Sequence, residues 1–178
     1  MKSFSIICII VILFSILFPV LYTAANLPKQ NAPETPAVQT ADKEVNVKVL
    51  SGDDVVNMTL SDYLKGVVAA EMPASFQPEA LKAQAVAART YTIYKMTVDP
   101  SSRHPQADVC TDSSCCKAYI TQEKMKENWG DSFDSNFEKI SSAVDLTDSQ
   151  CLVYDGEPIL AVFHSSSPGK TENSGQVW

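Results

Sequence analysis

An α+β fold is predicted for the part of this chain that follows residue 43, and three patterns predict it. Val45, Val47 and Val49 alternate with polar neighbours, the period of a half-buried strand. Two stretches with helix-starting signals follow, one on each side of Pro73. Near the C-terminus, QCLVYDGEPILAVFHSSS reads as two strands joined at Asp155-Gly156, a pair suited to a tight hairpin turn.

Before that domain, the run from Phe4 to Ala25 holds no charged residue. At roughly 1.5 Å per residue it is long enough to span a ~30 Å hydrocarbon core. It also exceeds the apolar region of about 7 to 15 residues that is usual in a cleaved signal. A single transmembrane anchor over residues 1–25 is therefore expected, although Thr23-Ala24-Ala25 would serve as a cleavage site. Lys2 is the only charged side chain ahead of the run, which favours a cytoplasmic N-terminus with the rest of the chain outside. Residues 26–43, with Pro28, Pro33 and Pro36 among small and polar residues, are expected to form an extended linker.

Residues 44–178 suffice for one domain with its own core. The 21 acidic and 14 basic residues give a net charge of −7, and no run of Lys and Arg forms a phosphate-binding face. Nucleic acid is not an expected partner. The sequence closes at Val177-Trp178 after the polar stretch SSSPGKTENSGQ, with no capping or strand-ending pattern, so an incomplete domain is expected.

Each element has a local reason. The first strand should stop at Ser51-Gly52-Asp53. Thr59 with Asp62 three residues on resembles a capping box and should open a helix running to about Met72. Gln77-Pro78-Glu79 should open a second, ending near Met96, with proline at the first helical position. Ala80, Ala83, Ala85, Ala87 and Ala88 make this helix thin and fit for close packing. Residues 100–118 read as polar and irregular, residues 133–144 as a short helix, and Pro158 as a late or edge strand start.

At about 100° per residue, Glu71 falls on the stripe formed by Leu60, Leu64 and Val67. Desolvation of an acid there should raise its pKa unless a cation reaches it, and a carboxyl protonated near neutral pH can protonate a glycosidic oxygen. The plainer alternative is an acid at a frayed helix end, turned to solvent or paired with Lys82 or Arg89. Those two cations share a stripe with Val86 and Ile93, which either faces a groove or lets long stems run along a core edge.

His104, Cys110, Cys115 and Cys116 lie within one short segment. One imidazole and two thiolates can hold Zn²⁺, leaving a fourth position for water or another cysteine. A disulfide is the competing reading for a chain outside the cytoplasm. Cys151 belongs to the predicted hairpin, and His164 ends its second strand, where a structural role is expected.

The segment LSDYLKGVVAAEMPASFQPEALKAQAVAARTYTIY resembles the catalytic-domain pattern of the stage II sporulation protein D family. A weaker similarity continues through HPQADVCTDSSCCKAY to AVFHSSSPGKTENSGQVW, where Pro168 departs from the family's Ser-Gly-Gly-basic-Thr run. The resemblance implies a lytic transglycosylase acting on peptidoglycan strands denuded of stem peptides during sporulation engulfment, with stage II sporulation proteins P and M as partners. It implies that Glu71 of the Glu-Met-Pro motif is the catalytic acid and that Lys82 and Arg89 position glycan. It also implies zinc on His104, Cys110 and Cys116, Cys115 being a possible fourth ligand. Members usually continue well past this last segment. Two other function classes stand beside that reading: a non-catalytic glycan-binding or amidase-enhancing module, and a zinc-dependent cell-wall hydrolase.

Overall fold

The computed structural model describes Phe18, residues 41–164 and residues 167–177. The apolar run Phe4–Ala25 expected to be an anchor, apart from Phe18, and most of the linker lie outside the described residues. Among the described residues no helix is long and apolar enough to cross a membrane. The chain divides into Met1–Glu34 and Thr35–Trp178, and the strands and helices of the domain all belong to the second unit.

Strand β1, Asn46–Ser51, buries Val47 and Val49 completely, as their alternation requires. Gly52, with φ of 62°, turns the chain into β2, Asp54–Thr59, which pairs antiparallel with β1 from Asn46↔Thr59 to Ser51↔Asp54. The sequence reading missed β2 because its side chains are exposed or only partly buried and carry no alternation. A third strand, β3, Val109–Cys110, pairs parallel to β1 on its other edge, giving the order β2-β1-β3.

Helix α1, Leu60–Glu71, starts where expected: the Thr59 hydroxyl accepts the Asp62 amide at 3.1 Å and donates to the Asp62 carboxylate at 2.8 Å. Helix α2, Pro78–Thr97, begins at its proline. Two further helices are α3, Gln122–Trp129, and α4, Phe133–Asp145, joined by a 3₁₀ turn over Gly130–Ser132. Helix α3 was not foreseen; the Thr121 hydroxyl caps it by accepting the Lys124 amide, without an acid at the third position to complete a capping box. Helices α1, α2 and α4 pack on one another, and Leu64, Val67, Leu81, Ala85, Ala88, Ile140 and Val144 form the core with the valines of β1.

The Asp155-Gly156 hairpin is present but short, pairing β4, Val153–Tyr154, with β5, Glu157–Pro158. Both turn residues have positive φ, 50° and 85°, as a tight two-residue hairpin turn demands. A last turn of helix, α5, spans Ser174–Val177.

The domain's edge and one cation depart from the expectations. Asp42, which composition places in the linker, is 3% exposed, and Arg89 is 0% exposed. The two form a buried ion pair with an Nη2–Oδ2 distance of 2.6 Å, and Arg89 Nε reaches the same carboxylate at 2.8 and 3.0 Å. The remaining guanidinium donors reach Val144 O, Thr147 Oγ1 and Gln150 O. Burial pushes the Asp42 carboxyl above its usual range, against the pull of Arg89. Arg89 therefore ties the chain ahead of β1 to the end of α4 from inside the domain. It presents no surface to a glycan, and it does not pair with Glu71.

Candidate active site and metal centre

Glu71 is the last residue of α1 and is half-buried. Its Oε1 accepts a hydrogen bond from the Ala118 amide at 3.0 Å. The other oxygen, Oε2, takes none among the described residues and is not buried. An acid that ends an apolar stripe is thus held by one atom and open at the other.

Gly66 is the reason residues 115–120 can reach that acid. A Cβ there would lie 2.2 Å from the Tyr119 ring and 2.9 Å from the Ile120 carbonyl. Without it the segment lies directly across α1: the Ile120 amide bonds to Gly66 O at 3.3 Å, and the Tyr119 ring stacks on Tyr63 at 5.7 Å. Ala118 is thereby brought over the end of the helix.

Lys117, which the sequence reading passed over, lies next to this contact. Its ammonium is 4.3 Å from the Tyr91 ring centroid and 4.0 Å from that of Phe163. Burial pushes it below the usual lysine range, while the charges of Glu71 and Cys116 pull it back. Its one sequence signal is that no other Lys or Arg occurs between Arg103 and Lys124. Lys82, by contrast, pairs with Glu79 at 2.8 Å and lines a concavity of about 320 Å³ with Pro78, Glu138 and Leu146, to which Glu71 does not contribute. The structure therefore does not gather Glu71, Lys82 and Arg89 into one constellation. His164 is exposed at the end of the last segment before Ser165.

The imidazole of His104 and the thiols of Cys110, Cys115 and Cys116 place their donor atoms within 4.8 Å of one another. The backbone builds this group from three directions. β3 carries Cys110, and the Asp112 carbonyl accepts the amides of Cys115 and Cys116 in a turn that brings them back beside it. Asp112 is itself fixed by the amide and hydroxyl of Ser114, both at 2.8 Å, which hold its carboxyl below the usual range. His104 Nδ1 lies 3.0 Å from Ala107 O and so carries the proton, which leaves Nε2, 3.3 Å from Cys116 Sγ, as the free lone pair. The four described cysteines are free thiols, and Cys151 is not part of the group.

Burial pushes the Cys116 thiol up to about 12 and raises Cys110 as well. The donor set suits a tetrahedral ion: bonds of about 2.3 Å to sulfur and about 2.0 Å to nitrogen imply donor separations of about 3.5 to 3.8 Å, inside the 4.8 Å that bounds these four atoms. The Tyr63 hydroxyl is buried without a hydrogen-bond partner, and burial first, then the charges of Cys116, Tyr91, Cys110 and Tyr119, push its pKa up. Cys115 stands as a fourth donor within the same 4.8 Å.

The profile of the SpoIID family, described as stage II sporulation protein, matches residues 51–154. The chain belongs to that family. It is 36% identical over 157 residues to stage II sporulation protein D of Bacillus amyloliquefaciens, covering 88% of this chain and 46% of that protein. The same protein of Bacillus subtilis (strain 168) is 40% identical over 128 residues, 72% of this chain and 37% of its own length. A protein named amidase enhancer, also of Bacillus subtilis, is 40% identical over 115 residues, 65% of this chain and 13% of its own. The chain spans less than half the length of these relatives. The family match takes in α1, α2, the whole His/Cys group and Lys117.

Proposed function

We propose that this protein is a membrane-anchored lytic transglycosylase that cleaves peptidoglycan glycan strands denuded of stem peptides during sporulation engulfment. The observation that carries the reading is the Glu71 carboxyl, anchored through Oε1 by the Ala118 amide with Oε2 left free at the end of α1. In its protonated form Glu71 gives a proton to the glycosidic oxygen as the bond from the muramyl anomeric carbon breaks. The resulting carboxylate takes the proton of the same sugar's 6-hydroxyl as that oxygen closes on the anomeric carbon. The product is a 1,6-anhydro end, with no enzymic nucleophile and no attacking water. One carboxylate therefore suffices, unlike the pair used by glycoside hydrolases.

His104, Cys110, Cys115 and Cys116 would hold Zn²⁺, the ion that three thiolates and an imidazole suit. With four protein donors the ion would supply a structural clamp on residues 104–116. That coordination speaks against a zinc-dependent hydrolase, which needs an open position. The names of the relatives support work on the cell wall during sporulation, and the amidase enhancer keeps a non-catalytic, glycan-binding module as the second reading. Stage II sporulation proteins P and M are proposed as partners on the family resemblance alone.

Digestion of peptide-free glycan separates these readings. Anhydromuramyl ends are expected; reducing ends would mean a hydrolase, and unchanged strands a binding module. For the anchor formed by Phe4–Ala25, with the domain outside the cytoplasm, the expected result is retention in membranes through alkaline carbonate washing. A soluble mature form beginning at Asn26 would contradict it.

A further inference from the structure

Among the charged side chains around Glu71, Lys117 has no role in the chemistry just described, yet it is held more firmly than a surface lysine. Its ammonium lies between the Tyr91 ring on α2 and the Phe163 ring on the last segment, at 4.3 and 4.0 Å from their centroids. No carboxylate among the described residues lies within ion-pairing distance of it, whereas Lys65, Lys82, Lys95 and Lys124 all have acidic partners. It is half-buried, and the next residue in the chain donates the amide that anchors Glu71. A cation that is held against two rings, partly desolvated and without a carboxylate at ion-pairing distance is placed to receive an anion from outside.

We infer that Lys117 is a specificity-determining residue that binds a carboxylate borne by the sugar at the cleavage site. This rests on the reading of the Glu71 region as a glycan site. In a muramyl strand the anion within reach of such a cation is the lactyl carboxylate. It is charged when the stem peptide is absent and is converted to a neutral amide when the peptide is attached. Lys117 would thus reward the denuded strand with a charge-assisted hydrogen bond that a peptide-bearing strand cannot make.

The experiment measures binding, so that it does not depend on turnover. In the full chain carrying Glu71→Gln, affinities are determined for two N-acetylglucosamine–N-acetylmuramic acid oligomers, one with free lactyl carboxylates and one with carboxamides. With Lys117 intact the carboxylate oligomer should bind about ten-fold more tightly, the size of one charge-assisted hydrogen bond. Lys117→Met should reduce that ratio to about one, Lys117→Arg should retain most of it, and Lys117→Glu should invert it. Equal affinities in the parent would overturn the inference. So would a ratio that survives Lys117→Met or Lys117→Glu, including a variant that changes only metal content, since the lysine would then merely balance the charge of the thiolates. A chain that discriminates through Lys117 but forms no anhydro product would leave this inference standing and refute the transglycosylase.

Discussion

The helical pair Leu60–Thr97 and the segment that follows it, residues 98–121, meet at Glu71 but are held by different forces. The pair is fixed by apolar area: Leu60, Leu64, Val67, Leu81, Ala85 and Ala88 are almost wholly buried, and its helices begin at the Thr59 side-chain cap and at Pro78 in the first helical position. The segment has one two-residue strand and buries little aliphatic surface besides Val109 and Ala107. Its shape comes from the Asp112 turn, the docking of Tyr119 over Gly66 and the convergence of His104 with three cysteines. The catalytic candidate is therefore placed by the first region and oriented by the second. Damage to the second should reach Glu71 while leaving the helices in place.

The largest effect that sharpens this contrast is loss of the metal. Structural Zn²⁺ contributes about 10 to 16 kcal/mol in small zinc-finger peptides, so a site of this kind can dominate a segment with little core of its own. Protein prepared without chelator should contain about one zinc per chain. Combining Cys110→Ser with Cys116→Ser should abolish it and expose the amides of residues 104–118 to hydrogen exchange, with those of Leu60–Thr97 still protected. No metal by elemental analysis, together with a mapped Cys110–Cys116 disulfide, would contradict the assignment.

Next comes the buried ion pair. Asp42→Ala leaves the wholly buried Arg89 guanidinium without its counter-charge, and breaking such a pair costs about 3 to 5 kcal/mol. A lowered denaturant midpoint is expected. An unchanged midpoint, with loss of glycan binding alone, would return Arg89 to the positioning role that the family resemblance implied.

The smallest of the three is local. Gly66→Ala forces the Tyr119 ring and the Ile120 carbonyl away from α1, an overpacking expected to cost about 1 to 3 kcal/mol. Because Ala118 moves with them, activity should fall by more than the stability loss explains. A variant with lowered stability and full activity would show that Glu71 does not depend on this segment for its orientation.

The same division explains what was legible in the sequence. Helix starts and the turn at Asp155-Gly156 are written in residues two to four apart, and the structure places them where those residues stand. Glu71 was nominated because helical periodicity carries across eleven residues from Leu60. The proximity of His104 to the cysteines was legible from spacing, although the inclusion of Cys115 needed the Asp112 turn. Strand β2 and helix α3 were missed because neither buries a regular stripe. The Asp42–Arg89 pair bridges 47 positions and the Ala118 amide reaches 47 positions back to Glu71, and no local pattern announces either. Lys117 differs from a surface lysine only through Tyr91 and Phe163, which lie far from it in sequence.

The central claim is that Glu71 transfers the proton, and replacing its carboxyl with an amide tests it most directly. Glu71→Gln preserves size and polarity, including an oxygen able to accept from the Ala118 amide, so thermal unfolding should change little. The measurement is the rate of anhydromuramyl product formation from peptide-free glycan, by metal-loaded protein whose unsubstituted form is active. Loss of general acid catalysis should lower that rate by at least about 10² to 10⁴. Product formed by Glu71→Gln at the unsubstituted rate would contradict the account and move the proton donor to another group.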